Sequence, residues 1–285
     1  MAAPRTGGSL IELARFGFTD LSGTVGKLDE LVKLVGDGGR IAMASLGKSA
    51  NPDQALNALL EFANRDKATL KKLLSKNDSA DRLCMVLGAS SALVDFLRRH
   101  PDEMVAFEKP VTALDDQTAM TERVRVALMP VLGTAITAKQ ANPDAPFDSA
   151  SCWNVIRKQY RSELLRIAIC DVSSEAPTAV LPTIAAALSD AAGAVIEGAI
   201  DIARAELSYS REYGIFEAHE VSATNFTVIA MGKCGARELN YISDVDVIYV
   251  AGPGNEEIES ARVIDIATKM ANRMMRAIDA VSTEP

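Results

Sequence analysis

NFTVIAMGKCGARELNYISDVDVIYV (225–250) decides the fold class, because here the apolar spacing changes from helical to extended. NFTVIAM (225–231) is a short, continuous apolar run with β-branched residues, which suits a buried strand better than a helix. GKCGA (232–236) reads as a glycine-containing turn, DVDVIYV (244–250) as a second strand, and AGPGN (251–255) as the breaker that closes it. Glu256 to Ala280 then reads as a helix with Ile258, Val263, Ala267, Met270, Met274 and Ile278 on its apolar side. Two strands make at best a marginal sheet, so this strand–turn–strand–helix module reads as cut short.

Upstream, the chain reads as helix to about residue 220. Asp53 to Leu74 carries apolar residues near a 3.6-residue period behind an Asn51-Pro52 start. A helix from about Ser90 to Arg99 has an apolar stripe at Leu93, Val94, Phe96 and Leu97, and Pro101 ends it. Leu114 to Lys139 reads as a helix broken near Pro130, and Gln140–Ser149 as a turn-rich loop. From Cys152 to Val172 one face is traced by Trp153, Ile156, Tyr160, Leu164, Ile167 and Ala168. Arg157, Lys158, Arg161 and Arg166 fall around the other faces, as solvated charges would. A long Ala-rich helix follows Pro182 and runs to about Tyr213. The expected division is a helical region, 1–220, and the start of an α/β domain, 221–285.

Composition bounds the class. The 285 residues are 48% apolar and 24% charged, an ordinary globular mix long enough for two domains. Lys and Arg total 30 against 38 Asp and Glu, a formal charge of −8, which argues against general nucleic-acid binding because that needs clustered cations. Cys84, Cys152, Cys170 and Cys234 form no CxxC pair, and with only His100 and His219 beside them they suggest reduced thiols rather than disulfides or zinc. MAAPRTGGSL (1–10) lacks the apolar core of an export signal, and Ala-rich 176–205 is interrupted by Asp190, Glu197, Asp201 and Arg204. A soluble cytoplasmic protein without a membrane span is expected.

Chemistry concentrates in 231–249. Asp244 and Asp246 stand two apart in an extended run, so both carboxylates leave the same face, ~6.5–7 Å apart along the chain. Paired carboxylates beside a glycine turn make a platform for Mg²⁺, which takes one or two carboxylates together with phosphate oxygens. Val245, Val247 and Val250 are expected on the opposite, core-facing side. An exposed strand end with solvated carboxylates would show the same DxD spacing. The neighbours favour a metal and phosphate site. Gly232 ends the first strand where backbone must approach a phosphate closely, and Gly235 extends the turn. Arg237 offers a planar fork, Lys233 a point charge and Ser243 a hydroxyl. Each has a plainer use: Lys233 solvated, Arg237 paired with Glu238, Asn240 forming the turn.

GKCGARELNYISDVDVIY (232–249) closely resembles the motif of the glutamine synthetase adenylyltransferase/adenylyl-removing family, within the nucleotidyltransferase superfamily that has a polymerase-beta-like palm. RLCMVLGASSALVDFLRRHPDE (82–103) and IRKQYRSELLRIAICDV (156–172) agree in order and spacing, so the resemblance spans about 82–250. It implies a mainly α chain with an α/β part, a helical region leading into an incomplete nucleotidyltransferase palm. It implies catalytic, Mg²⁺-holding Asp244 and Asp246, with Gly232, Lys233, Arg237 and Ser243 at the phosphate and nucleotide. The position of the motif behind a helical preface matches the half that takes AMP off adenylylated glutamine synthetase by phosphorolysis, releasing ADP. Glutamine synthetase, a PII signal protein, ATP or ADP and phosphate are the implied partners. Cys234 and Ala236 depart from the family's usual Leu and Gly. The family's third carboxylate, in an Asp-x-x-Leu-Arg-Pro run, does not occur before Pro285, so an incomplete and by itself inactive piece of the enzyme is expected. Competing readings are a uridylyl-transferring relative, which the RELN run opposes, and a non-catalytic helical interaction module with a degenerate palm.

Overall fold

A computed structural model describes residues 10–255, 258–280 and 283–284. The chain forms two compact units, one of Met1–Leu114 with Leu165–Leu181 and the other of Asp115–Leu164 with Pro182–Pro285. The passage from helix to strand near residue 220 therefore falls inside the second unit.

The first unit begins with α1 (Leu10–Arg15), α2 (Leu21–Val35), α3 (Asp37–Leu46), α4 (Pro52–Arg65), α5 (Lys67–Leu73), α6 (Asn77–Ala89) and α7 (Ser91–Arg99), followed by a 3₁₀ turn at Pro101–Glu108. Leu28, Leu31, Leu56, Leu59, Leu83, Leu87 and Phe96 fill its core. Local chemistry sets the helix starts. Asn51 accepts from the Gln54 N–H at 3.0 Å ahead of Pro52, and Ser90 accepts from the Leu93 N–H at 3.2 Å. The single helix expected over Asp53–Leu74 is in fact two. Asp66 leaves helical geometry (φ −139°, ψ 80°) and its carboxylate caps the next helix at the Thr69 N–H, 3.0 Å away, so a capping acid outweighs continuous periodicity.

Three longer helices follow: α8 (Gln117–Ala141), α9 (Ser149–Val172) and α10 (Pro177–Tyr209). The break expected at Pro130 is absent. Pro130 and Val126, whose carbonyl loses its partner, are both exposed, so the missing bond lies on the solvent side. Helix α10 likewise starts before Pro182 and ends at Tyr209, with Arg211–Tyr213 a separate 3₁₀ turn. By length and hydropathy alone α10 could cross a membrane, with 44% of its most apolar window buried inside the protein. Two of the acids along it, Asp190 and Glu206, are buried against arginines of the same unit.

After α11 (Ala218–Ser222) come β1 (Thr224–Ala230), the four-residue helix α12 (Gly232–Gly235), β2 (Val247–Pro253) and α13 (Ser260–Asp279). The strands are antiparallel, in register from Thr224↔Pro253 through Val228↔Tyr249 to Ala230↔Val247. Strand β2 thus starts at Val247 instead of Asp244 and runs through Ala251–Pro253, where a breaker was expected. Its far end is tied by the Gly254 N–H donating to the Ala223 carbonyl at 2.7 Å. Helix α13 packs against the sheet and buries the expected Val263, Ala267, Met270 and Met274, but Ile278 is 44% exposed. The helix start expected at Glu256 lies outside the described residues.

Candidate functional site

Strand β1 ends at Ala230, and the chain must turn at once to bring β2 back beside it. Gly232 makes that turn with φ 53°, and a Cβ there would sit 3.4 Å from the Asp246 Oδ2. Gly235 allows an even closer approach, since its Cβ would lie 2.3 Å from the Ala230 carbonyl oxygen. Backbone bonds close the loop: the Met231 N–H donates to the Asp246 carbonyl at 2.8 Å, the Gly235 N–H to Met231 at 3.0 Å and the Glu238 N–H to Lys233 at 2.7 Å. The first of these carries the ladder one bond beyond β2, so Asp246 is held beside the turn although it precedes the strand.

Asp244 and Asp246 are exposed and alternate with half-buried Ser243, Val245 and Val247, so the two carboxylates do share a face. Ile248 (49% exposed), Val250 (47%) and, from β1, Ile229 (46%) continue that face. Val250 therefore stands on the carboxylate side and not in the core; it has the same parity as Asp246. The other face carries Phe226, whose ring stacks on Tyr249 at 5.7 Å between centroids.

Lys233 is exposed on α12. Arg237 is neither paired with Glu238 nor left open. Its Nη1 and Nη2 donate to Asp190 Oδ1 and Oδ2, both at 2.7 Å, in a bidentate pair with an acid whose side chain is 5% exposed. Arg237 also has φ 60°, a left-handed conformation that costs a non-glycine residue roughly 1 kcal/mol. Ser243 Oγ donates to the Asp244 carbonyl at 3.2 Å. It lies on the face away from the carboxylates and lines a cavity of about 520 Å³ with Val245, Val247, Tyr249, Tyr160 and Arg161. Burial raises the pKa of both Tyr160 and Tyr249 above the usual phenol value. It also pushes up the Cys234 thiol, with the Asp190 charge adding to the effect.

Asp244 and Asp246, two hard-oxygen side chains on an open face with no Cβ between Gly232 and Asp246, are the residues here that could hold a hard divalent cation such as Mg²⁺. Among the described residues no group of three or more His, Cys, Asp or Glu converges to hold a metal.

The charges that hold this region together were not foreseen. Arg157, read as a solvated cation, is buried: Nε and Nη2 donate to the Ala277 carbonyl at 3.1 and 3.0 Å, near the C-terminus of α13. Burial lowers its pKa from the usual guanidinium value. Glu206 on α10 is fully buried and accepts from Arg273 of α13 at 2.5 and 2.8 Å and from the Ser149 hydroxyl. The Arg273 guanidinium lies 3.8 Å over the Tyr213 ring. The available signal was acids placed within an Ala-rich apolar helix, since a buried acid requires a partner.

A family model described as glutamate-ammonia ligase adenylyltransferase matches residues 80–285. Curated proteins named bifunctional glutamine synthetase adenylyltransferase/adenylyl-removing enzyme are similar along nearly the whole chain. That of Leifsonia xyli subsp. xyli is 37% identical over 97% of this chain and 26% of its own length. Those of Cutibacterium acnes and Streptomyces avermitilis are each 34% identical, over 95% and 100% of this chain and 26% of their own lengths. The chain spans about a quarter of the length of these relatives, and the similarity includes the helices before residue 82.

Proposed function

The chain belongs to the glutamate-ammonia ligase adenylyltransferase family, and on that premise we propose that it carries the nucleotidyltransferase site that removes AMP from adenylylated glutamine synthetase by phosphorolysis. The observation that carries the reading is the placement of Asp244 and Asp246 on one open face, with Gly232 beside Asp246 and the family motif around them. In the reaction an oxygen of inorganic phosphate bonds to the phosphorus of the AMP–tyrosine diester. The bond to the tyrosine oxygen breaks, the proton given up by the attacking hydrogen phosphate passes to that oxygen, and ADP leaves. Glutamine synthetase is the protein substrate, a PII signal protein the regulator, and the cytoplasm the compartment.

Asp244 and Asp246 would hold Mg²⁺, which offsets charge on the phosphate oxygens as the displacement proceeds. The chain's own groups do the rest. Gly232 keeps the turn clear of side-chain bulk where phosphate approaches Asp246. Lys233 contributes a positive charge at the turn, and Arg237 keeps N–H groups beyond the two that Asp190 occupies. Ser243 holds the backbone at Asp244 from the opposite face of the strand. In the bifunctional protein containing this chain, Asp244→Asn with Asp246→Asn is expected to slow AMP removal by about 100-fold or more, while the adenylylation performed elsewhere persists. Unchanged phosphorolysis of adenylylated glutamine synthetase would overturn the assignment.

A further inference from the structure

Asp190 lies in α10, more than forty residues before the glycine turn, yet it is the acid that the Arg237 fork grips, with both contacts at 2.7 Å. Its side chain is 5% exposed while that of Arg237 is 56% exposed, so the acid is the fixed member of the pair and the arginine reaches down to it. Arg237 also departs from ordinary backbone geometry, at φ 60°. Its N–H donates to the Cys234 carbonyl at 3.1 Å, and the neighbouring Glu238 N–H bonds back to Lys233. The loop between β1 and β2 is thus pinned at two places: at the ladder, where Met231 meets Asp246, and at the Arg237–Asp190 pair. Between them sits Gly232, 3.4 Å from Asp246 by its missing Cβ.

We infer that Asp190 is a positioning residue which, by holding Arg237, sets the Gly232 turn against Asp246 and so fixes the geometry of the carboxylate face. A buried acid in an apolar helix carries a desolvation cost that its arginine must offset, and a planar two-point fork constrains direction as well as distance. A point-charged lysine in place of Arg237 would satisfy the charge without fixing the turn. This inference rests on the metal reading of Asp244 and Asp246 and adds to it a residue outside the motif.

The test uses the 285-residue chain, with Mn²⁺ binding followed by electron paramagnetic resonance and amide hydrogen exchange measured across 231–246. Asp190→Asn keeps the side-chain shape and removes the charge. It is expected to leave the helical circular dichroism unchanged, to speed exchange only within 231–246, and to weaken Mn²⁺ binding about tenfold. Asp190→Glu is expected to recover part of that loss, and Arg237→Lys to reproduce it. Unaltered Mn²⁺ affinity in Asp190→Asn, or faster exchange spread evenly through α9, α10 and α13, overturns the inference and leaves only a structural ion pair. Should Asp190→Asn fail to fold, Arg237→Lys decides, and wild-type Mn²⁺ binding by that variant overturns it. Asp244→Asn with Asp246→Asn is the separate control: Mn²⁺ bound as well by that chain removes the metal reading itself.

Discussion

The two units differ in where their acids sit. In the first, the ion pairs Lys48–Asp81, Lys72–Glu108 and Arg98–Glu61 all lie at the surface, each with a cation at least 38% exposed, around a core of leucine and phenylalanine. In the second, Asp190, Glu163 and Glu206 are buried to 5% exposure or less, and arginines reach in to meet them. An apolar core tolerates the loss of a surface pair, because water replaces the partner. A buried pair does not, because losing one member leaves a charge in a medium that cannot solvate it. Among the described residues the sheet of the second unit has two strands, and an isolated strand pair is marginal without a packed partner. Helix α13, which packs against these strands, is tied to α9 by Arg157 and to α10 by the Arg273–Glu206 pair.

The largest expected effect tests the second of these ties. Arg273→Met should strand Glu206 and cost about 3–5 kcal/mol of stability, read by urea denaturation. Adding Glu206→Gln should restore much of the loss, since the charge then disappears with its partner. In the first unit a comparable loss requires an apolar deletion. Leu59→Ala, at a fully buried position, should cost about 2–5 kcal/mol through its cavity. Lys48→Ala should cost less than about 1 kcal/mol, although its bond to Asp81 is 2.6 Å long. If Lys48→Ala and Arg273→Met proved equally costly, the contrast between the units would fail.

The smallest effect is the dependence on pH. Glu220 accepts from Arg262 at 2.7 Å and from the Glu217 N–H at 2.8 Å, and these hold its carboxyl down to about 2. A carboxylate depressed on folding stabilises the chain above its unfolded value, near 4.5, and that contribution is lost as pH falls from about 4.5 towards 2. Both side chains keep partial access to water, Arg262 at 35% and Glu220 at 21% exposure, so Glu220→Gln should remove no more than about 1 kcal/mol at pH 7 and flatten the acid limb of a stability–pH profile. A variant with the same acid limb as the wild type would show that other carboxylates govern it.

Much of this was legible in advance where the determinants are local. The start of α4 follows from Asn51-Pro52, that of α7 from Ser90, and the common face of Asp244 and Asp246 from their parity in an extended chain. Val250 has the same parity, and placing it in the core broke the rule that correctly placed the acids. The strand limits moved because ladder bonds, not residue preference, decide where pairing begins. Pro130 failed as a breaker because its helix face meets solvent.

The amino-acid sequence by itself determined the helical periodicity, the switch to strand near Asn225, the family motif and the side from which the two aspartates emerge. These depend on residues within one or two turns of each other. Only the tertiary structure decided which charges are buried and what they hold: Arg157 at the end of α13, Glu206 beneath Arg273, and Asp190 beneath the turn that carries Arg237. Apolar periodicity reports which side of a helix faces inward. The partner of a buried charge depends on which distant segment is packed there, and that is settled when the chain folds.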